Sequence, residues 1–211
     1  MRINTCALFL IPLALLLAKT EPVGSHFIEI KTSNGTVIVV GSDVDQVRLD
    51  DPSRATIHTE NGKTVVSPVD PSGLPVRVEI PRRSALHAVT SNGAIRISGV
   101  SGPLNVVTSN GTIVVEDAGS SEIHAHTSNG AIDIGLAPRS SAKISAHTSN
   151  GHIQSDFPVV SQQRGTDYLQ GQIGSGGPLL DLTTSNGVIR IRGAEIPKEY
   201  VTSNFTPGEV K

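Results

Sequence analysis

Histidine gives this 211-residue sequence its widest scope for chemistry. His124 and His126 stand two residues apart, and His147 precedes a threonine just as His126 does. On a strand, residues two apart share a face roughly 7 Å from each other, and paired strands lie about 4.8 Å apart. If the segments that follow His126 and His147 stack in sequence order, three imidazoles gather within reach of one Zn²⁺ or Cu²⁺ ion. A solvated strand face whose rings merely lie side by side explains the same residues more simply. No metal ligand and no cofactor is therefore assigned.

Acids are the second candidates. Polysaccharide hydrolysis needs two carboxylates at a defined separation. The outward place six residues after the repeated threonine carries Arg96, Val114, Asp133, Gln154 and Arg190, so acids do not line up there. Glu116-Asp117 reads as a solvated corner, no catalytic residue is assigned, and the chain is not expected to be an enzyme. Asn34-Gly35-Thr36, Asn110-Gly111-Thr112 and Asn204-Phe205-Thr206 match the glycosylation acceptor pattern, a match read as incidental.

What must position all of these is a repeated phrase, Thr-Ser-Asn-Gly. It begins at Thr32, Thr90, Thr108, Thr127, Thr148 and Thr184, survives as Thr-Glu-Asn-Gly at Thr59, and ends as Thr-Ser-Asn-Phe at Thr202. From Thr90 the steps are 18, 19, 21, 36 and 18 residues. A period near twenty marks a stacked-coil protein. Four residues before the threonine stand Ile28, Leu86, Leu104, Ile123, Ile144 and Leu180; two before it, Ile30, Ala88, Val106, Ala125, Ala146 and Leu182. Five after it come Val37, Ile95, Ile113, Ile132, Ile153 and Ile189. Alternate apolar places rich in β-branched residues read as strands with one buried face.

Asn-Gly between such strands signals a bend, since both residues tolerate positive φ. It also signals a hairpin. The period favours coils, with identical asparagines stacked and their amides bonded along a column; a hairpin remains open for the N-terminal part. The fold class read here is all-β, a parallel β-solenoid of about six coils of 18–21 residues, with less regular N-terminal strands. Its winding is right-handed by the usual chirality of parallel crossovers. The long step from Thr148 to Thr184 is expected to hold a degenerate coil through Gly171 and Ile173, with Pro158 to Thr166 bulging as a loop suited to binding.

Aromatic residues make up only 3%, with no Trp, which suits thin layers filled by Ile, Val, Leu and Ala. A net charge of −2 with scattered Lys and Arg gives no reason to expect a nucleic-acid partner. Residues 1–18, with Arg2 ahead of an apolar run, read as a secretory signal, an uncleaved anchor being the rival. The single cysteine, Cys6, falls inside that segment, so the mature chain is expected to hold no disulfide. Residues 19–25 are then a leader, 26–193 the strand-repeat domain (26–85 irregular, 86–193 regular), and 194–211 a polar cap or tail.

The strand Val76-Arg77-Val78-Glu79-Ile80-Pro81, the tandem Thr-Ser-Asn-Gly-x-Ile units and the stretch from Gly171 to Gly177 resemble a bacterial putative-adhesin family of unknown function with β-strand repeats. The likeness runs over roughly residues 27 to 193. It implies an exported envelope protein with a solenoid-like fold and a structural or adhesin-like role. A scaffolding or sensing accessory that binds a membrane component is the alternative. The partner would be an envelope protein or a surface glycan, with membrane contact only through the N-terminal anchor.

Overall fold

The computed structural model describes residues 27–69, 73–118 and 121–193, and within them every regular element is a strand. Ten strands form one sheet: β1 (Phe27–Asn34), β4 (Ala55–Glu60), β5 (Lys63–Pro68), β7 (Ala85–Asn92), β9 (Leu104–Asn110), β11 (Ile123–Asn129), β13 (Ala142–Asn150), β15 (Val159–Arg164), β16 (Tyr168–Ile173) and β17 (Leu179–Asn186). Eight form the other: β2 (Val37–Ser42), β3 (Arg48–Leu49), β6 (Val76–Pro81), β8 (Ile95–Ser98), β10 (Ile113–Ala118), β12 (Ile132–Leu136), β14 (Ile153–Ser155) and β18 (Ile189–Gly193). The first sheet runs in the order β15-β16-β13-β17-β11-β9-β7-β1-β5-β4, the second β14-β18-β12-β10-β8-β2-β6-β3. The expected leader, signal and tail lie outside the described residues.

Each of the six complete phrases sits where the chain leaves one sheet for the other, and parallel pairing places like residues over like. Thr32, Thr90, Thr108, Thr127, Thr184 and Thr148 form one row in that order, and the matching asparagines form a second. Alternation divides the repeat strands: Ile28, Ile30, Ile95, Ile113, Ile132 and Ile189 are fully buried between the sheets, as the apolar spacing predicts, whereas Ile153 is only partly buried.

The bend shows why the phrase has these four residues. The buried threonine hydroxyl donates to the glycine carbonyl of the neighbouring level, as Thr108 to Gly93 (3.1 Å), Thr127 to Gly111 (3.0 Å), Thr184 to Gly130 (3.0 Å) and Thr148 to Gly187 (3.0 Å). Each asparagine Nδ2 donates to the next Oδ1, from Asn150 through Asn186, Asn129, Asn110 and Asn92 to Asn34, at 2.8–3.1 Å. The glycine N–H donates the other way, Gly93 to the Asn110 carbonyl at 3.1 Å and Gly111 to that of Asn129 at 3.0 Å. The serine points outward. Positive φ is not the reason for the glycines of the six complete phrases, as only Gly35 among them has it (98°), and none of their asparagines does. Close approach is the reason: a Cβ on Gly111 would lie 1.9 Å from the Gly93 oxygen, and one on Gly130 would lie 1.9 Å from that of Gly111.

One open alternative is decided and two expectations change. Asn61-Gly62 is a hairpin turn with positive φ at both residues (51° and 77°), joining β4 antiparallel to β5. The segment expected to be a degenerate coil is also a hairpin: β16 runs antiparallel to β13, and β15 antiparallel to β16. Pro158 to Thr166 is thus mostly strand, and Gly171 faces the core from a strand of reversed direction; alternation of apolar residues fixes a face but not a direction. Finally, β17 is inserted between β11 and β13, so the levels do not stack in sequence order. The return through Gly174, Gly176 and Gly177, all at positive φ, brings the chain back into that gap.

Candidate functional site

The inserted strand decides the fate of the histidines. His126 pairs with Val107 on one side and Thr183 on the other, and His147 lies on the far side of Thr183. Two strand spacings, about 10 Å, therefore separate His126 from His147 where stacking in sequence order would leave one. Among the described residues no group of three potential ligands is placed to hold a metal ion. His124 has other partners: Nε2 is 3.0 Å from Glu122 Oε1, and Nδ1 is 3.3 Å from Asp181 Oδ2.

Glu116 stands within β10 and not at a corner, next to a register irregularity between Val115 and Ala118. Its carboxylate takes a hydrogen bond from Arg192 Nη2, while Arg192 Nε donates to Asp133 Oδ1 at 2.7 Å. Gly135, between β10 and β18 on this face, has no side chain to block the arginine from reaching two strands away. The hydrogen bond to Glu116, with that to Asp133, pushes the Arg192 guanidinium further up its range. Two carboxylates clamped on one arginine tie levels together and are not poised as an acid and a base. A similar clamp on the ten-stranded sheet holds Glu29 between Lys31 (2.7 Å) and Lys63 (2.9 Å), and the two ammonium groups bring its carboxyl down to about 2. Lys63 also lies over the Phe27 ring, 5.7 Å from its centre.

Two concavities were not foreseen from the sequence. A cleft of about 340 Å³ opens between the sheets at the β4 end, lined by Val47, Ile57, Thr59, Thr64, Asp45 and Pro81 among others. A groove of about 350 Å³ lies on the outer side of the eight-stranded sheet, lined by Val40, Arg48, Leu49, Asp50, Arg77 and Glu79. Residues more than thirty apart in the chain meet there because β6 pairs with both β2 and β3. The outward arginines of Val76-Arg77-Val78 and Ile95-Arg96-Ile97 were the available signal, but their neighbours depend on the order of the strands.

Comparison with known proteins bears on the architecture. A crystal structure of a putative cell adhesion protein from Clostridium sporogenes ATCC 15579 superposes with a TM-score of 0.58, covering 82% of this chain and 95% of that one at 13% identity. That is a likeness of fold. No curated protein matches the chain. The family model described as Toastrack DUF4097 matches residues 76–192, from the strand that lines the groove to the arginine that ties the last levels together. That match covers more than half of the sequence, and the protein belongs to the Toastrack DUF4097 family.

Proposed function

We propose that the chain is an exported, non-catalytic interaction module of the cell envelope or surface, adhesin-like in the sense that it offers a fixed strand face to a partner. The observation that carries this reading is the continuous in-register stacking. Bonded asparagines, buried threonine hydroxyls and a dry aliphatic core hold two broad faces in place, so outward side chains keep fixed positions. The apolar run at residues 1–18 supports export, and the fold shared with a putative cell adhesion protein is consistent with a surface role. A right-handed winding of about six coils belongs to the same reading. The partner is an envelope protein or a surface glycan; nucleic acid is not expected, and the membrane is touched only through the N-terminal segment.

Fractionation of expressing cells, combined with protease treatment of intact cells, tests the location. The chain should be found outside the cytoplasmic membrane, and recovery from the cytoplasm alone would refute the proposal. A crosslinked pull-down then separates a surface partner from a membrane component, the latter being the mark of a scaffolding or sensing accessory.

A further inference from the structure

On the outer side of the eight-stranded sheet, strand pairing sets Arg77, Ile38 and Arg96 side by side in one row. The two guanidinium groups thus rise from strands about 10 Å apart, with an aliphatic strip between them. The neighbouring row brings Arg48, Glu79 and Val40 together. Arg48, Arg77, Arg96 and Asp50 are exposed, whereas Ile38, Val40, Leu49 and Glu79 are partly buried. Among the described residues none of these five charged side chains makes an ion pair or a side-chain hydrogen bond. This contrasts with Arg192 and Glu29, whose charges on the same stack are fully engaged.

We infer that this groove is a binding site for an acidic glycan, a chain of sugars bearing carboxylates. Three arginines against two acids leave an excess of positive charge, and a guanidinium matches a carboxylate with two parallel hydrogen bonds. The aliphatic floor of Ile38 and Val40 suits the apolar face of a sugar ring, while Leu49, paired with buried Val78, packs inward against the core beneath it. Asp50 and Glu79 decide between kinds of polyanion. All polyanions meet like charge there, but a glycan alone of these also brings ring hydroxyls, which donate hydrogen bonds to the two carboxylates. Arg77 and Arg96, on either side of Ile38, suit a stiff chain laid across the strands with carboxylates at intervals.

This deepens the proposed function and rests on it for access to such a glycan; the binding chemistry is independent. The test is calorimetry of the full chain with polygalacturonate, with dextran as the neutral control and vesicles of anionic phospholipid as the rival surface. Binding to polygalacturonate and not to dextran is expected, weakening at high salt. The Arg77→Ala, Arg96→Ala double variant should weaken it at least tenfold with an unchanged melting temperature, while Arg190→Ala, further along the same face, should not. Glu79→Ala should weaken glycan binding as well. No binding to polygalacturonate, or binding unaltered in the double variant, overturns the inference. Stronger binding in Glu79→Ala, or equal binding to the vesicles through the same arginines, shows that the groove reads charge alone and overturns the glycan assignment. A chain that lies in the envelope yet ignores polygalacturonate refutes the groove only, and one that binds it but stays in the cytoplasm refutes the location only.

Discussion

Replacing Gly111 by alanine tests the physical account of the bend. The new Cβ would lie 1.9 Å from the Gly93 carbonyl oxygen, where ordinary contact begins at 3.4 Å, so the two levels must part locally by about 1.5 Å. Three bonds cross that gap: Gly93 N–H to the Asn110 carbonyl (3.1 Å), Thr108 hydroxyl to the Gly93 carbonyl (3.1 Å) and Asn110 Nδ2 to Asn92 Oδ1 (2.9 Å). None survives a displacement of that size. At roughly 1 kcal/mol net for each, the loss is about 3 kcal/mol, which in a domain of this length lowers the melting temperature by roughly 6–12 °C. Gly62 supplies the contrast. A Cβ there meets nothing within 4 Å, but its φ is +77°, so alanine costs only about 1–2 kcal/mol of left-handed strain. Asparagine, which tolerates that conformation, should recover part of the loss at Gly62. At Gly111, where space is the obstacle, it should do no better than alanine. Thermal unfolding of the four single variants decides the matter. Gly111→Ala losing less than about 1 kcal/mol, or Gly111→Asn outperforming it, would refute the close-approach explanation.

Further outcomes follow from the same structure. Ile132 is fully buried while Asp133 shares Arg192 with Glu116 on the surface, so Ile132→Asp should destabilise by more than about 3 kcal/mol and Asp133→Ala by under about 1 kcal/mol, as measured by denaturant unfolding. Glu29, held by Lys31 and Lys63, titrates near 2 in the fold against an ordinary 4.5; its contribution is therefore complete above 4.5 and fades as the pH falls from there toward 2. Melting temperatures across that window should drop more steeply for the unaltered protein than for Glu29→Gln, and parallel curves would show that the clamp does not act. Zinc titration should give no binding event that His126→Ala removes, since β17 separates His126 from His147. Leu180 and Leu182 are equally buried, yet Leu182→Ala should cost more, toward the upper end of about 2–5 kcal/mol, because its stacked neighbours are Ala125 and Ala146, whereas Leu180 lies between Ile123 and Ile144, which can relax into a void. Equal unfolding free energies for these two variants would count against the size argument developed below.

The inside and outside of each strand could be read from the sequence because alternation is local: Ile132 in and Asp133 out follow from neighbouring letters. The asparagine column was legible for a related reason, as identical residues at a fixed distance from a bend must coincide once strands pair in parallel. The groove could not be read in the same way. Arg77 and Arg96 become neighbours of Ile38 only through strand order, and nothing within Val76-Arg77-Val78 names the strand beside it. The two hairpins escaped for want of direction. Leu169, Gly171 and Ile173 alternate as well in an antiparallel strand as in a parallel one, and the reversal lies in the positive-φ glycines that follow.

Strand order did leave one trace in the sequence, in the row two residues before the threonine. Taken in sequence order from Thr32, that row reads Ile30, Ala88, Val106, Ala125, Ala146, Leu182. It would set two alanines against each other and leave a gap there. Taken in spatial order it reads Ile30, Ala88, Val106, Ala125, Leu182, Ala146, with a larger and a smaller side chain alternating throughout. Interiors close-packed to crystal density favour the second arrangement, since each large residue fills the space its small neighbours leave. The phrase itself, the same at every level, makes all level orders equal in hydrogen bonding. Volume in this one row breaks the tie, and by carrying β17 between β11 and β13 it also parts His126 from His147 and gives Arg192 its reach across Gly135 to Glu116.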